Sequence, residues 1–120
     1  MALAVGVVLL ARVGVIVPRW VAGRDRVRAA ELYEARCAVC HEVEGGIGTQ
    51  LDSRVLAYYE TARGLFNYVR LAMPYDAPRT LADEEYWLAV GHLLRSRGLV
   101  GKDVVVNAAT SDGIELEGDG

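Results

Sequence analysis

The sequence predicts an all-α protein. Apolar residues recur at helical spacing in several segments; these segments begin near residues that cap helices, and two of them end at glycine or proline. The alternation of apolar and polar residues that marks half-buried strands is missing, and one short segment, 104–106, is expected to be extended. A length of 120 residues suits one small domain, and an apolar fraction of 52% excludes a disordered chain.

The clearest helix is predicted over 81–97. Thr80 is its expected N-cap, acidic residues fill its first turn, and Gly98 is its stop signal. A second helix is predicted over 24–38, with Asp25 as its N-cap. The last helix has a wide apolar face that we expect to lie on the core, formed by Tyr86, Trp87, Val90, Gly91, Leu93 and Leu94.

Two shorter helices are predicted between these, over 52–60 and 61–72. Met73-Pro74 ends the second one, because the residue before a proline is disfavoured in the α conformation. The predicted N-caps are Asp52 or Ser53 for the first helix and Thr61 for the second.

The chain is expected to have three parts: a hydrophobic segment at 1–22, a domain at 23–100 and a C-terminal tail at 101–120 whose acidic end frays. The first segment is long enough to cross the ~30 Å apolar core of a membrane. Arg12 near its middle costs roughly 2.5–3.5 kcal/mol in that setting. A retained anchor, a cleaved signal and a helix outside the membrane all stay open for this segment.

The charge distribution limits the function classes. The formal net charge of −3 argues against a nucleic-acid partner, which needs a basic face. Residues 12–28 carry five arginines; no basic residue precedes the apolar run, Arg12 interrupts it, and the other four follow it. By the positive-inside rule alone, this order would leave the domain in the cytoplasm.

Cys37-Ala38-Val39-Cys40-His41 contains both cysteines and one of the two histidines. C-x-x-C-H is the attachment signature of c-type haem, because two thiols can each add to a haem vinyl group and the adjacent histidine can ligate the iron. The same residues also allow a redox-active thiol pair or part of a zinc site. A thiol enzyme favours a βαβ context, and a zinc site here is one ligand short.

Met73 is the candidate for the second axial position. It is the one methionine besides Met1, and it stands at a loop junction next to Pro74. A thioether opposite an imidazole favours ferrous iron and raises the reduction potential. His92, inside the last helix, is the rival ligand.

These features together resemble the class I monohaem cytochromes c of bacteria over about residues 27–100. The resemblance is carried by Leu32-Tyr33 before the C-x-x-C-H motif, by Gly45-Gly46-Ile47-Gly48, by 61–69, by Met73-Pro74 and by the segment from 81 to 94. It implies an all-α cytochrome c fold around one covalent haem c, bound through Cys37 and Cys40, with His41 and Met73 as axial ligands. It also implies that the first and last helices cross closely, with Ala29 and Tyr33 near Gly91 and Leu94.

The resemblance implies a one-electron carrier and no enzymatic activity, because both axial positions are filled. Its partners would be redox proteins: a dehydrogenase as donor and an oxidase or photosynthetic complex as acceptor. The location would be periplasmic or on the outer face of the cytoplasmic membrane, with membrane association through 1–22. A haem subunit of a periplasmic dehydrogenase or of a sulfur-compound oxidase is the alternative, and a C-x-x-C thiol–disulfide oxidoreductase a remote one.

The family usually has a proline after the loop glycine, and its carbonyl holds the proximal histidine. This chain has Thr49 there, so the carbonyl is kept and the rigid proline φ is lost. Further haem contacts are expected from some of Tyr58, Tyr59, Phe66, Tyr68 and Trp87. Arg70 and Arg79 are candidates to pair with propionates, while Glu42 and Glu44 are expected to be solvated.

Overall fold

A computed structural model describes residues 19–117. Most of the predicted anchor or signal segment at 1–22 therefore lies outside the described residues, and 19–22 form the start of the first helix. Within the described part, no helix combines the length and the apolar character needed to cross a membrane.

The prediction of a helical fold is confirmed. The described helices are α1 (Arg19–Arg36), α2 (Ala38–His41), α3 (Ser53–Ala57), α4 (Ala62–Ala72) and α5 (Asp83–Ser96), followed by a 3₁₀ turn at Ser111–Gly113. Over residues 19–117, β pairing is limited to one isolated antiparallel bridge between Thr61 and Glu115.

Helix α1 is longer at its start than the sequence pattern indicated. It begins at Arg19, so Asp25 lies inside the helix and the prediction of Asp25 as N-cap is wrong. Ala29 and Tyr33 are the buried residues of this helix, and α1 packs against α5, as the resemblance implied. The remaining positions of α1 are mostly exposed and arginine-rich, because one narrow stripe is enough to contact a single neighbouring helix.

The predicted caps of α3 and α4 are confirmed. The Asp52 carboxylate accepts a hydrogen bond from the Val55 amide at 2.9 Å, and the Thr61 hydroxyl accepts one from the Gly64 amide at 3.0 Å. Met73 is the C-terminal cap of α4 in extended conformation. The proline that follows it stops the helix where the sequence predicted.

Helix α5 begins after Ala82, so the prediction of Thr80 as N-cap is wrong. The Thr80 hydroxyl instead donates to the Ala77 carbonyl at 2.6 Å and closes the preceding turn. The Glu85 carboxylate accepts from the Ala82 backbone amide at 2.9 Å and satisfies this donor at the start of the helix, whereas alanine has no side-chain oxygen to cap a helix amide in return. At the other end, Gly98 has a φ of +73°, which confirms it as the stop residue.

The core lies between α1, α4 and α5. Phe66 of α4 and Trp87 of α5 stack with ring centroids 3.7 Å apart. Tyr86, Val90 and Leu94 on α5 are almost completely buried, which confirms the predicted apolar face of this helix.

The C-terminal segment returns to the core instead of fraying from residue 115. The Ala62 amide donates to the Ile114 carbonyl at 2.9 Å, and the Leu116 amide donates to the Glu60 carbonyl at 2.8 Å. The side chains of Val106 and Leu116 are buried in the same apolar cluster as α4 and α5. Residues 118–120 lie outside the described residues.

Gly91 makes room for a different neighbour than the first helix. The atoms nearest to a Cβ placed on Gly91 belong to the Arg95 guanidinium, at 3.0 Å, and to Val106 of the C-terminal segment, at 3.4 Å. The missing side chain therefore lets the tail lie close to α5.

Candidate haem site

The C-x-x-C-H motif forms a tight corner directly after α1. Cys37 follows the last residue of α1, while Cys40 and His41 belong to the one-turn helix α2. The amides of Cys40 and His41 both donate to the Cys37 carbonyl at 3.1 Å, so the backbone of the motif is closed on itself. Both thiols and the imidazole are half-buried.

A cavity of about 670 Å³ opens beside this corner, and most of its wall is apolar. All four predicted site residues, Cys37, Cys40, His41 and Met73, line it. Its volume lies within the usual range for cofactor sites, roughly 300–1,000 Å³. Two thiols, an imidazole and a thioether on one apolar cavity fit the attachment and axial ligands of a haem c.

The imidazole of His41 is oriented by one backbone contact. Its Nδ1 lies 2.7 Å from the Thr49 carbonyl oxygen. A carbonyl oxygen can only accept, so Nδ1 carries a proton and Nε2 is the ring nitrogen that could present a lone pair to a metal. The threonine at this position thus supplies the carbonyl that a proline supplies in the family, as the sequence predicted.

The loop at 42–51 passes so close to the motif that two of its glycines have no room for a side chain. A Cβ on Gly48 would lie 2.7 Å from both the Cys40 carbonyl oxygen and His41 Nδ1. A Cβ on Gly46 would lie 2.5 Å from the same carbonyl. The Gly48 amide donates to that oxygen at 2.9 Å. The glycine-rich sequence therefore serves the close approach of the loop to His41.

Met73 is held by its backbone on two sides. Its amide donates to the Val69 carbonyl at 2.9 Å, and its carbonyl accepts from the Tyr86 hydroxyl at 2.6 Å. Tyr86 is buried in α5, so this helix anchors the loop that bears the thioether. The sequence predicted Tyr86 as a core residue and gave no sign of this contact.

The other candidates divide into those at the cavity and those elsewhere. Tyr59 and Tyr68 line the cavity, with ring centroids 5.1 Å apart. Phe66, Trp87 and His92 do not line it. His92 contacts Tyr33 instead, with ring centroids 4.9 Å apart.

Neither of the two arginines suggested for the propionates lines the cavity. Arg70 forms an ion pair with Asp83 at 2.6 Å. Arg79 does not line the cavity and has a φ of +61°. The pairing of either residue with a propionate stays a prediction.

Glu42 is exposed, as predicted, but its carboxylate is also bound by two other side chains. Its carboxylate accepts a hydrogen bond from the Tyr33 hydroxyl at 2.7 Å and a second one from the Arg97 guanidinium. These two bonds lower the pKa of Glu42 below its usual range, and the bond from Tyr33 has the larger effect. Burial, and then the Glu42 contact, raise the pKa of Tyr33. No sequence pattern links these three distant residues.

The thiol chemistry differs from that of a redox enzyme. Burial raises the pKa of Cys37 to about 11. Thiol–disulfide oxidoreductases need the opposite, a lowered pKa that gives a thiolate near neutral pH. Among residues 19–117, no three histidine, cysteine or acidic side chains are grouped so that they could hold a metal ion.

Helices packed around an apolar cavity, with C-x-x-C-H at its wall, define a small cytochrome c domain. Residues 25–93, more than half of the chain, match the family model described as cytochrome c oxidase, cbb3-type, subunit III, and the chain belongs to this family. The resemblance to cytochromes c is thereby confirmed, and the chain is an electron carrier of the cytochrome c family.

One curated relative is a thiosulfate dehydrogenase from Allochromatium vinosum. It is 30% identical over 83 aligned positions, which cover 58% of this chain. The match covers 31% of that protein, so the chain spans less than a third of the length of this relative. No solved structure matches the chain.

Proposed function

We propose that this protein transfers single electrons through one haem c that is bound by Cys37 and Cys40 and ligated by His41 and Met73. The observation that carries the proposal is the convergence of these four side chains on one apolar cavity. A haem iron supplies reversible one-electron chemistry. With His41 and Met73 both holding the iron, no position would be open for a substrate, so the domain itself would make and break no bonds of a substrate.

Each residue has a separate task in this proposal. Cys37 and Cys40 fix the cofactor through thioether bonds, and His41 presents Nε2 because Thr49 holds the proton on Nδ1. Met73 supplies a thioether that favours the ferrous state. The surrounding apolar wall, with Leu65 and Leu93 among its residues, excludes water and disfavours the additional charge of ferric iron.

The rim of the cavity is the proposed face for electron exchange. Val39, Ile47 and Tyr75 line the cavity and are strongly exposed, at 61%, 77% and 71%. Arg36 and Asp76 also line it and compensate each other in charge. An exposed apolar rim suits the small, transient interfaces of redox proteins.

The relatives support a proposal for the protein's place in electron transport. The family model bears the name of an oxidase subunit, and the curated relative bears the name of a thiosulfate dehydrogenase. We therefore favour a role as carrier or haem subunit beside a terminal oxidase, with a haem subunit of a sulfur-compound dehydrogenase as the second candidate. Cytochromes of this type typically work outside the cytoplasm, and membrane association through 1–22 is part of the same proposal.

The ligand set is tested by absorption spectra of protein made in cells competent for cytochrome maturation. We expect a covalent haem with a six-coordinate low-spin spectrum and a weak sulfur-to-iron charge-transfer band. Met73→Ala should give a high-spin ferric haem that binds external ligands rapidly. His92→Ala, which removes the rival ligand, should keep the original spectrum. A colourless protein with two free thiols would overturn the proposal.

The two roles are separated by assaying electron donors and acceptors. If the chain works beside an oxidase, the reduced protein should be oxidised rapidly by membranes that contain the oxidase and should not respond to thiosulfate. A haem subunit of a sulfur-compound enzyme should instead be reduced by thiosulfate when the remaining part of that enzyme is added.

A further inference from the structure

The guanidinium of Arg97 connects two points of the loop that touches His41. Its Nε donates to the Leu51 carbonyl at 2.6 Å, and its Nη2 donates to the Glu42 carboxylate. Arg97 is the C-terminal cap residue of α5, so both bonds start from the end of a helix that is packed into the core. Its side chain is 25% exposed, which shields the contacts partly from water.

These two contacts enclose the part of the loop that orients the imidazole. Glu42 directly follows His41, and Leu51 comes two residues after Thr49, whose carbonyl accepts from His41 Nδ1. Glu42 is fixed a second time by the hydroxyl of Tyr33, whose residue is 4% exposed. One side chain on α5 therefore holds both ends of the loop at 42–51.

We infer that Arg97 is a positioning residue for the His41 imidazole: it holds the loop closed so that the Thr49 carbonyl stays on Nδ1. The inference rests on the proposed role of His41 as an iron ligand. Without Arg97, the loop keeps the Gly48 amide bond to Cys40 but loses the two hydrogen bonds that tie it to the end of α5. The Thr49 carbonyl then leaves the imidazole more often, and the ring gains rotational freedom.

The planar fork of arginine is what this contact requires. Nε and Nη2 point in fixed directions and reach a carbonyl and a carboxylate at once, whereas a lysine ammonium is a single point charge on a flexible stem. Arg97→Lys therefore keeps the charge and removes the double contact.

Arg63 offers a matched control, because it makes the same kind of double contact elsewhere. Its Nε donates to the Asp112 carboxylate at 3.0 Å and its Nη2 to the Ala108 carbonyl at 2.6 Å. Both acceptors lie in the C-terminal segment, and Arg63 is 33% exposed on its side chain. Arg63→Lys should weaken the protein in a comparable way without touching the loop at 42–51.

The test is solvent exchange of the His41 Nδ1 proton, measured by NMR on the haem-loaded full chain. Arg97→Lys should accelerate this exchange about tenfold relative to wild type, the effect expected for losing one charge-assisted hydrogen bond. Arg63→Lys should leave the exchange unchanged. If Arg97→Lys does not fold, Glu42→Gln, which weakens one of the two contacts, is measured in the same way and should accelerate the exchange by a smaller factor.

Equal exchange in Arg97→Lys, Arg63→Lys and wild type would overturn the inference and leave Arg97 as an ordinary stabilising contact. The same spectra show whether the premise holds. Ring resonances of His41 that are shifted by the ferric iron support its role as ligand, whatever Arg97 does. Unshifted resonances would overturn the proposed function and the inference with it.

Discussion

The hydroxyl of Tyr86 donates a 2.6 Å hydrogen bond to the backbone carbonyl of Met73. Tyr86 is 1% exposed and lies in α5, while Met73 caps the end of α4 on the cavity wall. The contact ties the candidate distal ligand to a different helix from the one that precedes it. The direction in which the thioether points therefore depends on the packing of α4 against α5.

Tyr86→Phe should loosen Met73 while keeping the core filled. The substitution removes the hydroxyl and leaves the ring, so the expected loss in free energy of unfolding is about 1 kcal/mol. We also expect external imidazole to displace the proposed Met73 ligand from ferric iron several times more easily. Denaturant unfolding and an imidazole titration followed by absorbance measure the two effects.

Tyr68→Phe is the matched control for this substitution. Tyr68 lines the same cavity, and within residues 19–117 its hydroxyl makes no hydrogen bond to the protein. The control should change neither stability nor imidazole affinity. If Tyr86→Phe behaves like Tyr68→Phe in the titration, the hydroxyl does not position Met73.

Gly48→Ala should disrupt the contact between the loop and His41. The new Cβ would lie 2.7 Å from His41 Nδ1, a distance that forces the loop or the ring to move. Overpacking of this kind costs roughly 1–3 kcal/mol in free energy of unfolding. The yield of haem-loaded protein and its denaturation midpoint should both fall.

Gly113→Ala is the control for Gly48→Ala. A Cβ on Gly113 meets nothing within 4 Å, and its backbone has an ordinary negative φ. This variant should keep the wild-type yield and midpoint. A Gly48→Ala protein as stable as Gly113→Ala would show that the loop can withdraw from His41 without cost.

Local signals in the sequence were sufficient to predict most of the helices. Thr61 and Asp52 cap the helices they were expected to cap, because a side-chain oxygen next to free amides acts over three residues. The same reasoning failed at Thr80 and Asp25. Thr80 closes a preceding turn, and Asp25 lies within a helix that starts further upstream.

Only the part of the candidate site whose residue types reveal their chemistry could be predicted from the sequence. The C-x-x-C-H motif and a methionine before a proline carry chemistry that is visible in the sequence. The residues that support them cannot be recognised in the sequence, because they are far from their partners along the chain. Arg97 lies 55 positions from Glu42, and Tyr86 lies 13 positions from Met73. Arginine and tyrosine are common on helices, so tertiary packing alone distinguishes these two.

His92 makes stability depend on pH below neutrality. Burial, and then the charges of Arg95 and Arg97, lower the pKa of His92 below its ordinary value of 6.5, although Glu42 and Glu34 act in the opposite direction. The unfolded chain therefore binds a proton that the folded chain resists, and stability falls as the pH drops from 6.5 through the lower folded pKa. His92→Gln, which is neutral throughout, should flatten this part of the pH profile of the free energy of unfolding.

Glu42→Gln serves as the comparison, because Glu42 affects stability over a lower pH range than His92 does. The pKa of Glu42 is lowered from 4.5 by its bonds to Tyr33 and Arg97, so its contribution is present above 4.5 and disappears as the pH falls through its folded pKa. The two variants should flatten different parts of the profile. If His92→Gln leaves the slope just below pH 6.5 unchanged, His92 does not titrate differently in the folded and unfolded states.

Leu116→Ala should show whether the C-terminal segment contributes to the stability of the domain. Leu116 is 5% exposed and lies in the same apolar cluster as Leu65 and Val90, so truncating it should cost roughly 2–4 kcal/mol in free energy of unfolding. Val104→Ala, at a residue that is 39% exposed, should cost much less. Denaturant unfolding of both variants compares the two sites directly. A Leu116→Ala protein with wild-type stability would mean that the burial of Leu116 does not contribute to the stability of the fold.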